Sequence, residues 1–193
     1  MRRVRLFLVL LGLGVLWAGV AAGEGTPQEE AGRLNRQAVE LYQAGQYEKA
    51  LPLLQRALEI NEKALGPEHP DLAVSLNNLA GLYQAMGAFE KALPLYQRAL
   101  AIREKALGPE HPATAASLNN LAALYWARSA YDQALPLYQR ALAIREKALG
   151  PEHPNVAQSL ENYAALLRKT HREAEAERME ARAKAIRAKK AVQ

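Results

Sequence analysis

The sequence predicts an all-α solenoid built from a repeated pair of helices. The strongest evidence is a segment of 21 residues, ALPLYQRALAIREKALGPEHP, which occurs at 92–112 and again at 134–154, an offset of 42 residues. A third copy at 50–70 differs at three positions, Leu54, Glu59 and Asn61. A fixed period of about 20–50 residues is typical of stacked repeats. The composition agrees, because the strong helix formers Ala, Leu, Glu, Lys, Arg and Gln dominate and no run typical of a strand is present.

Charge and cysteine content exclude several functional classes. The chain has no cysteine, which excludes disulfides, cysteine-ligated zinc and thiol catalysis. Its formal net charge is +5, to which Arg2, Arg3 and Arg5 contribute. Without those three arginines, 25 basic residues become 22 against 20 acidic ones. So small an excess predicts that the chain does not bind nucleic acid.

Residues 1–22 have the parts of a secretory signal peptide. Three arginines precede an apolar run from Leu6 to about Trp17, and small side chains around Ala22 suit cleavage there. The alternative is an uncleaved membrane anchor, because 17 residues from Leu6 to Ala22 reach the short limit for a membrane span. Either way the repeats are expected to be exported, either secreted or periplasmic, and to contact a membrane only if the segment stays uncleaved.

A polar spacer is expected at 23–30, followed by the repeats. Thr26, Pro27 and Glu29 have the order of an N-cap, a first-turn proline and a capping-box glutamate, so a helix should start there. Three units are predicted at 31–70, 71–112 and 113–154, and a degenerate fourth unit with a capping helix at 155–193.

Each unit divides into two helices, A and B. In the second unit Gly87 marks the turn between them, Pro94 is expected near the first turn of helix B, and Gly108 and Pro109 end it. In the fourth unit Thr170 and His171 replace the turn.

The spacing of small and large residues resembles the tetratricopeptide (TPR) repeat. The matching residues of the second unit are Leu79, Ala80, Tyr83, Gly87, Ala92, Tyr96 and Ala99. Leu76 and Leu118 stand where the family consensus has Trp, and Ala80 and Ala122 where it has Gly. The 42-residue unit is similar to that of kinesin light chains and their bacterial counterparts. The resemblance implies a right-handed superhelix of about eight helices, and a non-catalytic scaffold whose concave groove, lined by the A helices, binds a protein or peptide.

Asparagines recur in the middle of helix A, where they are poor helix formers. From the resemblance, Arg36, Asn78, Asn120 and Asn162 are candidates for a ladder that binds the backbone of a peptide. The alternative is that these amides tie one repeat to the next. The register of helix A adds further groove candidates, which are Gln84, Trp126, Arg168 and Lys169. The two-sided carboxylate clamp of chaperone-binding TPR proteins is absent.

No pattern in the sequence indicates catalysis, a metal site or a cofactor. His69, His111 and His153 recur once per repeat, which spaces their imidazoles too far apart to share one metal ion, so they are interpreted as turn residues. Ser75, Ser117 and Ser159 recur among expected Ala and Leu neighbours with no base in register. Two alternatives to a scaffold that binds a peptide remain open. These are a membrane-anchored subunit of an envelope assembly and self-association through the near-identical repeats.

Overall fold

The computed structural model describes residues 25–191, so the expected signal peptide at 1–22 lies outside the described residues. The described chain is all helical and contains eight α-helices. They are α1 Pro27–Gln43, α2 Tyr47–Leu65, α3 Leu72–Ala85, α4 Phe89–Leu107, α5 Pro112–Ala127, α6 Tyr131–Leu149, α7 Pro154–Lys169 and α8 Glu173–Ala191. Within these residues, no helix combines the length and apolar character that crossing a bilayer requires.

The first helix starts with the predicted capping box. The Thr26 hydroxyl accepts a hydrogen bond from the Glu29 N–H at 3.2 Å, and the Glu29 carboxylate accepts one from the Thr26 N–H at 2.7 Å. These bonds satisfy two backbone donors that a helix start would leave unpaired. Helix α1 therefore begins at Pro27, inside the segment that was expected to be a spacer.

Histidines start two of the later helices. The Nδ1 atoms of His111 and His153 accept hydrogen bonds, each 3.1 Å long, from the N–H groups of Ala113 and Asn155. His69 makes a similar contact to the Asp71 N–H at 3.2 Å. The histidines of the links are therefore not only turn residues, because their rings act as N-caps for α5 and α7.

The turn between the helices of a unit keeps its left-handed conformation even where glycine is absent. Gly87 has φ 73°, whereas Ser129 and His171 hold nearly the same geometry at φ 59° and 58°. A side chain costs energy in this region. The packing of the two helices therefore fixes the turn more strongly than its sequence does.

The position of Pro94 differs from the expectation. Helix α4 begins at Phe89, so Pro94 is its sixth residue and lies in the second turn, not the first. Its ring removes the N–H that would reach the Glu90 carbonyl. Pro52 and Pro136 occupy the same place in α2 and α6.

The helices stack as antiparallel pairs, and α3, α5 and α7 each pack between two even-numbered helices. In the third unit, fully buried Leu118 belongs to a cluster with Ala141 and Ile144 of its own unit and Leu100 of the preceding one. The backbones of consecutive odd-numbered helices also lie close to each other, whereas those of consecutive even-numbered helices do not and are bridged by long side chains. The odd-numbered helices therefore line the inner, concave surface.

Ion pairs connect consecutive even-numbered helices along the outer edge. Arg140 donates to Glu104 at 2.6 Å and to the Pro109 carbonyl at 3.3 Å, and Lys147 donates to Glu110 at 3.1 Å. The same contacts recur one unit away on either side, between Arg98 and Glu62, Arg182 and Glu146, Lys105 and Glu68, and Lys189 and Glu152. We call this set the outer ladder.

Apolar packing between units should stabilise the chain more than the outer ladder does. Replacing Leu118 by Ala leaves a cavity in a fully buried site and should lower the free energy of unfolding by about 2–5 kcal/mol. Arg140→Gln removes an ion pair whose side chains are more than a third exposed, and should cost less than about 1 kcal/mol. Urea unfolding of both variants measures the difference, and equal losses would contradict this order.

The N-cap role of His111 predicts a graded response to substitution. His111→Ala removes the side-chain acceptor and should lower the stability by about 1 kcal/mol, as is typical for the loss of an N-cap. His111→Asn supplies an acceptor of suitable length and should retain most of the stability. Thermal unfolding followed by circular dichroism compares the two, and an equal loss in both would contradict the assignment of this stability to the side-chain acceptor.

Candidate functional site

The inner surface is formed by residues that recur every 42 positions on α1, α3, α5 and α7. We call each set of equivalent residues, one from each unit, a column. The first column holds the predicted Arg36, Asn78, Asn120 and Asn162. The next holds Val39, Gly81, Ala123 and Ala165, and a third holds Tyr42, Gln84, Trp126 and Arg168. Because the period is constant, each column follows the groove from one end to the other.

Two adjoining cavities open into this groove, each with a volume of about 380 Å³. The first lies between α1 and α3, and the second between α3 and α5. They share four lining residues, which are Tyr42, Gly81, Tyr96 and Asn120. No ionisable carboxylate, lysine or arginine lines either one. Together they form one uncharged depression in the floor of the groove.

The predicted site residues separate into two groups. Asn78, Asn120 and Gln84 line the cavities. The other five lie outside both linings, namely Arg36, Trp126, Asn162, Arg168 and Lys169. Trp126 is 37% exposed, a large value for an indole.

Two of the ladder asparagines tie consecutive units together. The Asn78 Nδ2 donates to the Asn35 Oδ1 at 3.3 Å, and the Asn162 Nδ2 donates to the Asn119 Oδ1 at 3.0 Å. Both bonds join residues 43 positions apart. The side-chain amides of Asn78 and Asn162 therefore tie one repeat to the next, as the alternative interpretation predicted. Their role in ligand binding stays a prediction.

The corresponding bond between the second and third units is absent from the described residues. Asn77 and Asn120 have the same 43-residue separation, but the Asn77 Nδ2 instead donates to the Ser117 hydroxyl at 3.4 Å. The Asn77 Oδ1 is buried with no hydrogen-bond partner, which normally costs free energy.

The recurring serines have polar partners in addition to the Ala and Leu neighbours that were expected. The hydroxyls of Ser117 and Ser159 accept from Arg103 at 3.0 Å and Arg145 at 2.8 Å. Burial lowers the pKa of both guanidinium groups, which nonetheless remain charged at neutral pH. These serines join consecutive units and lie next to no catalytic base.

Arg168 is partly engaged within the chain. Its Nε and Nη2 atoms donate to the two oxygens of Glu180 at 2.7 Å each. This pairing raises the pKa of Arg168 above its usual value and lowers that of Glu180. A ligand carboxylate at this place would have to compete with Glu180.

Three residues that line the cavities, Tyr42, Val39 and Tyr96, were not among the predicted groove residues. Tyr42 is 42% exposed and Val39 is 44% exposed on the inner face of α1, and the 42-residue spacing places Tyr42 in the column of Trp126. The Tyr96 hydroxyl donates to the Gln84 Oε1 at 3.1 Å, and burial raises the pKa of Tyr96 to about 12. The equivalence of Tyr42 with Trp126 was visible in the sequence, but the exposure of Tyr42 required the structure.

Comparison with solved structures finds relatives of the same architecture. BtubC (BKLC) from P. vanneervenii is 29% identical with a TM-score of 0.76, over 87% of this chain and 67% of that one. A putative kinesin light chain with nearly identical TPR-like repeats from Podosopora anserina is 31% identical with a TM-score of 0.75, over 86% of this chain and 78% of that one. Aspartyl phosphate phosphatase F from Bacillus subtilis shares the fold alone, at 18% identity and a TM-score of 0.74, over 87% of this chain and 42% of that one.

Sequence comparison gives a family match over most of the chain. Nephrocystin-3 from Xenopus laevis is 54% identical over 39 residues, which are 20% of this chain. The match spans only about 3% of that relative's length, and the same holds for nephrocystin-3 from Xenopus tropicalis. The family model for the tetratricopeptide repeat matches residues 30–105, 71–147 and 114–189. The chain therefore belongs to the tetratricopeptide repeat family, and its units are of the kinesin-light-chain-like type.

Proposed function

We propose that this protein is a non-catalytic scaffold that binds an extended segment of a protein partner in its inner groove. The observation that carries the proposal is the uncharged depression between α1, α3 and α5, where amide groups lie next to exposed aromatic and aliphatic side chains. Repeats of this family are typical of interaction scaffolds, and fold alone does not identify the partner.

The chemistry of the depression suits a peptide in an extended conformation. An asparagine amide offers a donor and an acceptor, which matches the N–H and C=O groups of a backbone. The exposed side chains of Val39 and Tyr42 lie beside Asn78 in the wall of the first cavity. An uncharged side chain of the ligand would bury this apolar surface, and that burial would favour binding.

The carboxyl-terminal end of the solenoid disfavours stacking of a second copy. Leu135 and Leu142 of α6 contribute to the core shared with the fourth unit. The positions one unit later are Glu177 and Lys184 on α8. A charged outer face on the last helix keeps a solenoid from continuing. The groove is therefore a better candidate than this end for the surface that a partner contacts.

Site-specific crosslinking from the groove tests the binding role. The photoreactive residue p-benzoylphenylalanine at Tyr42 or Trp126 should give discrete crosslinked products with a partner in living cells, because both positions are exposed on the inner face. The same residue at Ala101 or Ala143, which are exposed on even-numbered helices, is the matched control.

If the control positions give the same crosslinked products in the same yield as Tyr42 and Trp126, this result would contradict binding in the groove. Products that consist only of crosslinked copies of this chain would instead support self-association.

We also propose that the repeats act outside the cytoplasm. The support is the order of charged, apolar and small residues within 1–22, a pattern typical of an export signal. If the segment remains attached, the same repeats would be held at a membrane as part of an envelope assembly.

The mass of the protein purified from its native envelope fraction decides between these forms. Cleavage after Ala22 should give a mature chain that begins at Gly23. An intact mass that includes residues 1–22 would favour the anchored form, and recovery of the full-length chain in the cytoplasmic fraction would contradict export.

A further inference from the structure

We propose that the uncharged depression also binds a neutral saccharide, with one sugar ring seated over Gly81 and against the ring of Tyr42. The inference goes beyond the proposed function, because it gives the same surface a second class of ligand. Three features of the depression support it, namely a glycine in its floor, amide groups on either side of that glycine and an aromatic ring held in place beside it.

Gly81 opens the floor of the depression. It lies in the interior of α3, where glycine destabilises a helix relative to alanine. A methyl group at this position would meet the Tyr96 hydroxyl at 3.5 Å, an ordinary contact, so the packing does not require a glycine. Both cavities are lined by Gly81. With no side chain here, the two cavities are continuous and a ligand ring can approach the backbone of α3.

Amide groups surround this opening. Asn78 and Gln84 lie one turn before and one turn after Gly81 on the same face of α3, about 9 Å apart along the helix axis. The Asn78 Nδ2 and the Gln84 Oε1 are engaged within the chain, which leaves the Asn78 Oδ1 as an acceptor and the Gln84 Nε2 as a donor. On α5, the half-buried amide of Asn120 lines both cavities and has no hydrogen-bond partner among residues 25–191.

Tyr42 supplies a flat apolar surface beside these amides. It lines both cavities and is 42% exposed. Its ring packs against that of Tyr47, with the ring centroids 5.4 Å apart and the planes inclined by 45°. Because this contact restricts the Tyr42 ring before a ligand arrives, less conformational entropy is lost on binding. The C–H face of a sugar ring can pack on such a ring while its hydroxyls point sideways to the amides.

The set of open polar groups selects the class of ligand. A purely apolar ring would bury the amides of Asn120 and Gln84 without partners, which costs free energy. A charged ligand would meet no opposite charge, because neither cavity is lined by a charged side chain. A neutral sugar ring offers several hydroxyls, each of which both donates and accepts. Neither lining includes a residue of α7, so the depression is short and a compact ligand can fill it.

The test uses two neutral probes, methyl β-D-glucoside and N,N′-diacetylchitobiose, with the purified protein. In nitrogen-15 NMR spectra each should shift the side-chain amide signals of Asn78, Gln84 and Asn120, with a Kd of the order of 1–10 mM. Methyl β-D-glucuronide is the matched charged probe, since it has the same ring and a carboxylate that is ionised at neutral pH. It should shift these signals much less at the same concentration.

Matched substitutions locate the sugar in the depression. Tyr42→Ala should raise the Kd of the glucoside about tenfold, whereas Trp126→Ala, an exposed aromatic of the same column outside both linings, should leave it unchanged. Gly81→Leu should abolish binding without lowering the melting temperature, because leucine is the better helix former. Gly32→Leu changes a glycine of α1 outside both linings and should leave the Kd as it is.

The outcomes separate this inference from the proposed function. If neither neutral probe shifts these amide signals at about twenty times the expected Kd, the inference is wrong, while crosslinks from Tyr42 and Trp126 still report on a protein partner. If the glucuronide binds as well as the glucoside, or if Trp126→Ala weakens binding as much as Tyr42→Ala does, the sugar is not held in the depression and the inference is wrong. Binding of N-acetylphenylalaninamide alone, lost in Gly81→Leu, would assign the depression to the protein partner only.

Discussion

The stack of repeats depends on the packing of α3, α5 and α7, each of which lies between the second helix of its own unit and that of the preceding unit. Leu76, Leu118 and Leu160 are fully buried at equivalent positions of α3, α5 and α7. A single helical pair cannot bury such residues by itself, so the units are stable only as a stack. The concave groove is a consequence, because the odd-numbered helices approach one another more closely than the even-numbered ones do.

The near-identity of the 21-residue segment follows from what it contacts. It contains most of the residues that form the outer ladder, and the contacts Arg140–Glu104 and Lys147–Glu110 join one copy of the segment to the next. A change of Arg140 or of Glu104 alone would break their pair, so the two positions cannot vary independently. The inner face is under no such constraint at Tyr42, Gln84 or Trp126, so neighbouring repeats differ there. Residues of the outer edge can therefore be identical from repeat to repeat while residues of the groove differ.

Sequence alone predicted the helical pairs, their approximate ends and the first capping box, because these depend on spacing and on local backbone chemistry. It did not predict the histidine caps, the Ser117–Arg103 contact or the pairing of Asn78 with Asn35. Those contacts depend on side-chain geometry, and the inter-repeat pairs also depend on how one unit is rotated against the next. The location of the groove candidates could be predicted from the repeat, but which amides are occupied could not.

The departures from identity in the first copy of the segment now have physical reasons. Glu59, which replaces the Ala of later copies, accepts from Arg56 at 3.0 Å and from Lys63 at 2.6 Å within its own helix. These cations, Lys63 first, hold the pKa of Glu59 below its usual value. In α8, Ala188 stands one period after the ladder acceptor Glu146, so this helix offers no carboxylate at the equivalent position. Asn61 stands where the later copies have arginine, and its Nδ2 donates to the Ser75 hydroxyl at 2.8 Å. Leu54 stands where the later copies have tyrosine, and it lines the first cavity. The three differences therefore lie where the first unit makes contacts within its own helix, with the second unit and with the groove.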